Sequence, residues 1–167
     1  MKKILTVLLM VLLLVTFVGS AFAQEGISGE NEKLQKRQVK FAVLKEFTDE
    51  IHTINGLRME RNTLQNEVIQ KHDAILDLYI VARESGDKEA LTEAKKVREQ
   101  IRDINGEIKG IREQIKEGRK VFREAVKNGN LEMAQEQVNS VINLMTMINE
   151  KVKVKINLLQ DIIEILS

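Results

Sequence analysis

The chain has no cysteine, no proline and no tryptophan, and it carries one tyrosine, five phenylalanines and two histidines. Each shortage removes a class of explanation. Without cysteine there is no disulfide, no thiolate nucleophile or metal ligand, and no lipid attached through a cysteine. Small exported chains often lean on disulfides, so this one has to rely on its packed interior. Aromatics make up 4% of the residues, and the large apolar residues are chiefly Ile, Leu and Val among Glu, Lys, Arg and Gln. That mixture, free of proline, favours helices. At 167 residues, 43% hydrophobic and 31% charged, the chain fits one ordinary domain.

Residues 1–23 are of another kind. Lys2 and Lys3 lead into an uncharged, mostly aliphatic run over 4–18, and Ala21-Phe22-Ala23 supplies the small-x-small pattern at which signal peptidase cuts. The expectation is a cleaved signal peptide and an address in the periplasm, the cell envelope or outside the cell. An uncleaved anchor is the alternative, because residues 4–23 at ~1.5 Å each just span a bilayer core of ~30 Å.

No sign of charge dominates either. Loss of Lys2 and Lys3 from 26 basic residues leaves 24 against 25 acidic, a formal charge of −1. This balance argues against nucleic acid or an anionic membrane as the main partner. Residues 87–127 carry 12 basic and 9 acidic residues and 130–167 carry 3 and 5, which reads as mixed charge on solvated helix surfaces with mild complementarity between segments.

What is present is apolar periodicity. Residues 24–38 are polar and lack it, so they are expected to form a flexible lead-in. In the middle of the chain, Ala94, Val97, Ile101, Ile104, Ile108, Ile111, Ile115, Gly118, Phe122 and Ala125 follow alternating spacings of three and four, the a/d seam of a coiled coil. The last segment keeps that beat from Leu131 through Met145, Ile148 and Val152 to Leu166, with Lys155 the one charged member. The first runs from Leu44 and Phe47 to Ala82 more loosely, interrupted at Arg61 and at Lys71/His72.

Two stop-start signals divide the segments, Ser85-Gly-Asp-Lys-Glu89 and Asn128-Gly-Asn-Leu-Glu132. In each, glycine suits the left-handed end of one helix and Asp87 or Asn130 suits the cap of the next. Turns this short make neighbours antiparallel. The predicted fold is all-α: an elongated, coiled-coil-like up-down-up three-helix bundle over residues 39–167, with helices at about 39–84, 88–127 and 131–166. Reflection about the two turns sets Gly118 beside Ile54 and beside Ser140 and Val141.

A short motif recurs: Ile51-His-Thr-Ile-Asn-Gly56, Ile101-Arg-Asp-Ile-Asn-Gly106 and Met145-Thr-Met-Ile-Asn149. Its apolar pair falls at a and d in all three helices, so core packing accounts for most of it, and its asparagine falls beside the seam. Gly56, Gly106 and Gly110 fall away from the seam and each should cost about 1 kcal/mol relative to alanine. Gly106-x-x-x-Gly110 raises the alternative of close approach by another helix.

Groups that do chemistry are scarce. His52 and His72 lie about 30 Å apart along one helix and cannot share a metal, and neither sits in a H-E-x-x-H pattern. Met145 and Met147 diverge around a helix too far to chelate copper together. No glycine-rich phosphate loop follows a strand. No catalytic, cofactor-binding or metal-binding residues are assigned, no cofactor is expected, and the chain reads as no enzyme.

The C-terminal segment carries a second apolar line, Leu144, Met147, Val154, Leu158 and Ile165, broken by Lys151 and Asp161, and the end of the first segment, including Ile80, is also richer in apolar residues than one seam absorbs. These six residues are the candidate surface for a protein partner or for self-association. The leading expectation is an exported structural or protein-interaction module. A holdase-type envelope chaperone or stress adaptor binding unfolded clients is the runner-up, and a membrane-active protein working through the amphipathic C-terminal helix is third.

Overall fold

The computed structural model describes residue 38 and residues 41–43 and 45–167. The expected signal peptide and nearly all of the lead-in lie outside the described residues. Three long helices pack together: α1 (Thr48–Ser85), α2 (Lys88–Lys127) and α3 (Leu131–Leu166). Among the described residues there is no strand.

The first helix differs from its expected course at one point. Helical residues before position 47 meet a turn at Phe47, and α1 proper starts at Thr48. Phe47 is fully buried, set edge-on against Phe122 with ring centroids 5.2 Å apart. An aromatic pair of that geometry adds to the burial of both rings and anchors the junction.

Both connections are built as their residues suggest. Gly86 and Gly129 have φ of 75° and 71°, the left-handed conformation that ends a helix without a Cβ clash. The amide of Ala90 donates to Asp87 Oδ1 at 2.9 Å and that of Met133 donates to Asn130 Oδ1 at 3.0 Å. Each cap satisfies an amide that the first turn leaves without a helical partner.

Cross-helix partners set the directions. Glu50 meets Gln135, Arg61 meets Asn149, and Lys71 meets Gln160, so α1 and α3 ascend together. Arg119 meets Met145, Glu107 meets Lys151 and Asn105 meets Lys155, so α2 runs opposite to α3. The reflected register is visible at Gly118, where an added Cβ would stand 3.0 Å from Val141 Cγ2.

The three helices do not share the core evenly. Four residues of α1 and six of α2 are buried, against eleven of α3, which makes α3 the axis that both others clasp. The main cluster gathers Val68, Ile75, Ile101, Ile108, Met145, Ile148 and Leu159, and a second cluster at the other end holds Phe47, Ala125, Ala134 and Val138. At about 1.5–3 kcal/mol for each fully buried large aliphatic side chain, this interior is the main source of stability.

Polar interruptions of the seam meet polar partners. Lys71 Nζ donates to Gln160 Oε1 at 2.8 Å, and Lys155 Nζ donates to Asn105 Oδ1 at 3.3 Å. The asparagines of the repeated motif therefore take different parts: Asn55 accepts from Arg58 on the exposed side of α1, Asn105 receives Lys155, and Asn149 is buried. Gly56, Gly106 and Gly110 face open space, with no helix close to any of them.

Candidate functional site

The six apolar residues singled out above fall on two edges. Leu144, Leu158 and Ile165 are half-buried against the core, while Met147 and Val154 are 45% and 44% exposed. Lys151 lies four residues after Met147 and three before Val154, and it pairs with Glu107. This row therefore borders α2 on its Glu107 side. Ile80 lies elsewhere. Its neighbour Tyr79 packs under Arg98 from the opposite flank of α2, so α2 stands between Ile80 and the other five.

Two further features sit in the middle of the molecule. One is a node around Asn149, the single buried polar residue among those described. Arg61 Nε donates to Asn149 Oδ1 at 3.1 Å, and Asn149 Nδ2 donates to the Leu57 carbonyl at 3.0 Å and to Glu60 Oε2 at 2.8 Å. A second Arg61 nitrogen donates to the Met145 carbonyl at 3.1 Å, and Lys153 pairs with Glu60 at 2.7 Å. The Lys153 and Asn149 hydrogen bonds hold the Glu60 carboxyl below its ordinary range, and Glu60 raises the Lys153 ammonium. Every bond runs between α1 and α3, so the node fixes their register.

The other is a cationic seam between α1 and α2. On α2 every residue that directly follows a seam position from Ala94 to Phe122 is Lys or Arg, except Asn105. Residues directly preceding the seam include Glu93, Asp103, Glu107, Glu117 and Glu124, with Lys96 the one cation. Charge is thus sorted onto two flanks of an exposed helix surface, an arrangement that counts along the chain average out and a helix separates by angle. The acidic flank turns toward α3, where Glu107 meets Lys151. The basic flank turns toward α1.

That placement shows in how the cations act on one another. Arg61 is pushed down by burial and then by Arg112, Arg119 and Arg58, and Arg119 by burial and then Arg58. Lys155, beneath the seam, is lowered by burial and Arg112. His72 is lowered by burial, Lys155 and Arg98, with Asp73 opposing. Arg98 stacks 4.8 Å from the Tyr79 ring centroid and Arg83 5.2 Å, and two Arg83 nitrogens donate to Tyr79 Oη at 2.9 and 2.6 Å, pulling the phenol down. Among the described residues no ion pair joins α1 to α2. Positive charge accumulates along the seam, and Asp73 opposes it at His72.

Among the described residues no group of three or more His, Asp and Glu side chains is placed to hold a metal, and no helix is long and apolar enough to cross a membrane. A shallow concavity beside Ile163, lined by Asn66, Glu67, Gln70 and Lys71, opens to solvent. Fold and site together define an all-helical protein with one polar node and one cationic seam. Compared with known proteins, the chain matches no family model, no curated protein and no solved structure.

Proposed function

We propose that the chain is an exported, non-enzymatic helical-bundle module that works by holding another protein, or a second copy of itself, in the cell envelope or outside the cell. The observation that carries this reading is the α3 edge, where Met147 and Val154 stay nearly half exposed beside half-buried Leu144, Leu158 and Ile165. An apolar line of that length, interrupted at Lys151 and Asp161, on a helix whose own seam is already filled is the kind of face that helix-in-groove recognition uses. The signal-like residues 1–23 support export, and the scarcity of nucleophiles and metal ligands supports a binding role.

A photo-crosslinking residue at Val154, compared with one at Glu113 on α2, tests it in the native envelope. Adducts with one defined protein, or with a second copy, at position 154 and not at 113 are expected. Absence of adducts at both sites, or the same adducts at both, would contradict it.

A further inference from the structure

The cationic seam has a second property besides its charge. On α1, Ile69 lies three residues before His72, and Leu76 lies between His72 and Tyr79. Ile80 lies four after Leu76. Tyr79 stacks under Arg98, and Leu76 and Ile69 stand three and ten residues before it with Ile80 directly after it, so this row lies on the flank of α1 that turns toward α2. Ile69 and Leu76 are each 58% exposed and Ile80 is 47% exposed. An apolar row with helical spacing on α1 thus runs alongside a cationic row with helical spacing on α2, where these two helices approach each other far less closely than either approaches α3.

We propose that the groove between α1 and α2 is a docking site for an acidic amphipathic helix of another protein, its apolar face on Ile69, Leu76 and Ile80 and its carboxylates on Arg102, Lys109 and neighbouring α2 cations. This rests on the reading of the chain as a protein-binding module, and it names the chemistry of the partner. Charge complementarity selects the occupant. The α1 carboxylates Glu60 and Glu50 are engaged elsewhere, with Lys153 and Gln135, and Asp73 acts on His72, so the exposed α2 cations along the seam are left to solvent or to an outside partner. A flexible polyanion would answer the charge and leave Ile69, Leu76 and Ile80 wet. A helix with a three-and-four apolar stripe and flanking glutamates answers both, as e and g charges do beside an a/d seam. A second copy is disfavoured because Glu107 of the acidic α2 flank is already paired with Lys151 of its own chain.

Binding of the mature protein to a synthetic helical peptide of about four heptads, with Leu at a and d and Glu at e and g, tests the site. The same peptide with Gln at e and g, and polyphosphate as a non-helical polyanion, are the comparisons. The Glu peptide is expected to bind about tenfold more tightly than the Gln peptide at low salt, with the gap closing as salt screens the charges. R102E/K109E and, separately, L76S should each weaken it about tenfold, the size of effect found for well-placed interface residues. K96E, on the acidic flank, should leave it unchanged. These residues are exposed, so retained helicity and thermal unfolding confirm that each variant is folded.

Equal binding of the two peptides, indifference to R102E/K109E and L76S, or binding of polyphosphate with neither peptide bound would overturn the proposal. So would a self-associated protein that R102E/K109E returns to monomer. Position-specific crosslinks at Val154 without any binding of the Glu peptide would leave the module reading standing and remove this site alone.

Discussion

Asn149 concentrates more hydrogen bonding than any other side chain of the interior, and it is 1% exposed. Truncation takes the partner of Arg61 Nε and removes the link to Glu60, and an unsatisfied buried polar group costs about 1–3 kcal/mol. Asn149→Ala is therefore expected to lower unfolding free energy by about 1–3 kcal/mol in urea titrations, while Asn55→Ala, on the exposed side of α1, changes it by less than ~0.5 kcal/mol. The repeated I-x-x-I-N motif shows three equivalent asparagines, and nothing in the motif says which one is buried. The answer depends on Arg61, 88 positions away, whose intrusion into the α1 seam reads alone as a flaw in the pattern.

Two titrating groups act in one direction. Glu60 is depressed in the folded state by Lys153 and Asn149, so its contribution is present at neutral pH and lost as pH falls through its folded value. His72 is depressed from 6.5 by burial, Lys155 and Arg98. As pH falls below 6.5 the unfolded chain takes up that proton first, and stability drops until the folded His72 is protonated too. The urea midpoint should fall between neutral pH and mildly acidic pH, and His72→Gln should flatten the upper part of that decline. An unchanged pH profile in His72→Gln would remove the histidine from the explanation.

Among the elements, α2 was the most legible. Its seam residues are buried or half-buried from Ala94 to Ala125, as the unbroken three-and-four spacing implies. Both turns were legible too, because glycine followed by Asp87 or Asn130 states a stop and a start in chemical terms. Less legible was the rank of the helices. The loose stripe of α1 and the doubled stripe of α3 acquire meaning once α3 is seen to be clasped from two sides, a relation among helices that no single stripe contains.

The helical glycines separate in the same way. Gly56, Gly106 and Gly110 face open space, so alanine at each should raise stability by about 0.5–1 kcal/mol through helix propensity and a less free unfolded chain. Gly118 is a packing residue, with Val141 Cγ2 3.0 Å from an added Cβ. Gly118→Ala should gain less than the other three, and Gly118→Leu should cost about 1–3 kcal/mol by overpacking. Thermal unfolding of the four alanine variants side by side checks the contrast. Asp87→Ala and Asn130→Ala should each cost about 1 kcal/mol, the usual worth of such a cap.

At the scale of the whole molecule, a near-neutral chain conceals a strongly uneven field. The missing step from sequence to seam was angular: counts along 87–127 mix the two flanks, and the structure turns one toward Lys151 and the other toward Arg61. Mutual repulsion of Arg58, Arg61, Arg112 and Arg119 across α1 and α2 should make the free protein more stable as salt rises. The Debye length shrinks from ~30 Å at ~0.01 M to ~10 Å at ~0.1 M, which screens most of that repulsion. A melting temperature that fell over this range would show that the attractive pairs, Glu60 with Lys153 and Glu107 with Lys151, outweigh the seam.

Ion pairs tie α3 to both α1 and α2, whereas among the described residues none joins α1 to α2. Zero-length carbodiimide coupling of the native protein, followed by mass spectrometry of the monomer, tests it most directly. Amide links should form between Glu60 and Lys153 and between Glu107 and Lys151, with none from Lys109 or Lys116 to a carboxylate of α1. Links from those α2 lysines to α1, with the two α3 links missing, would contradict it.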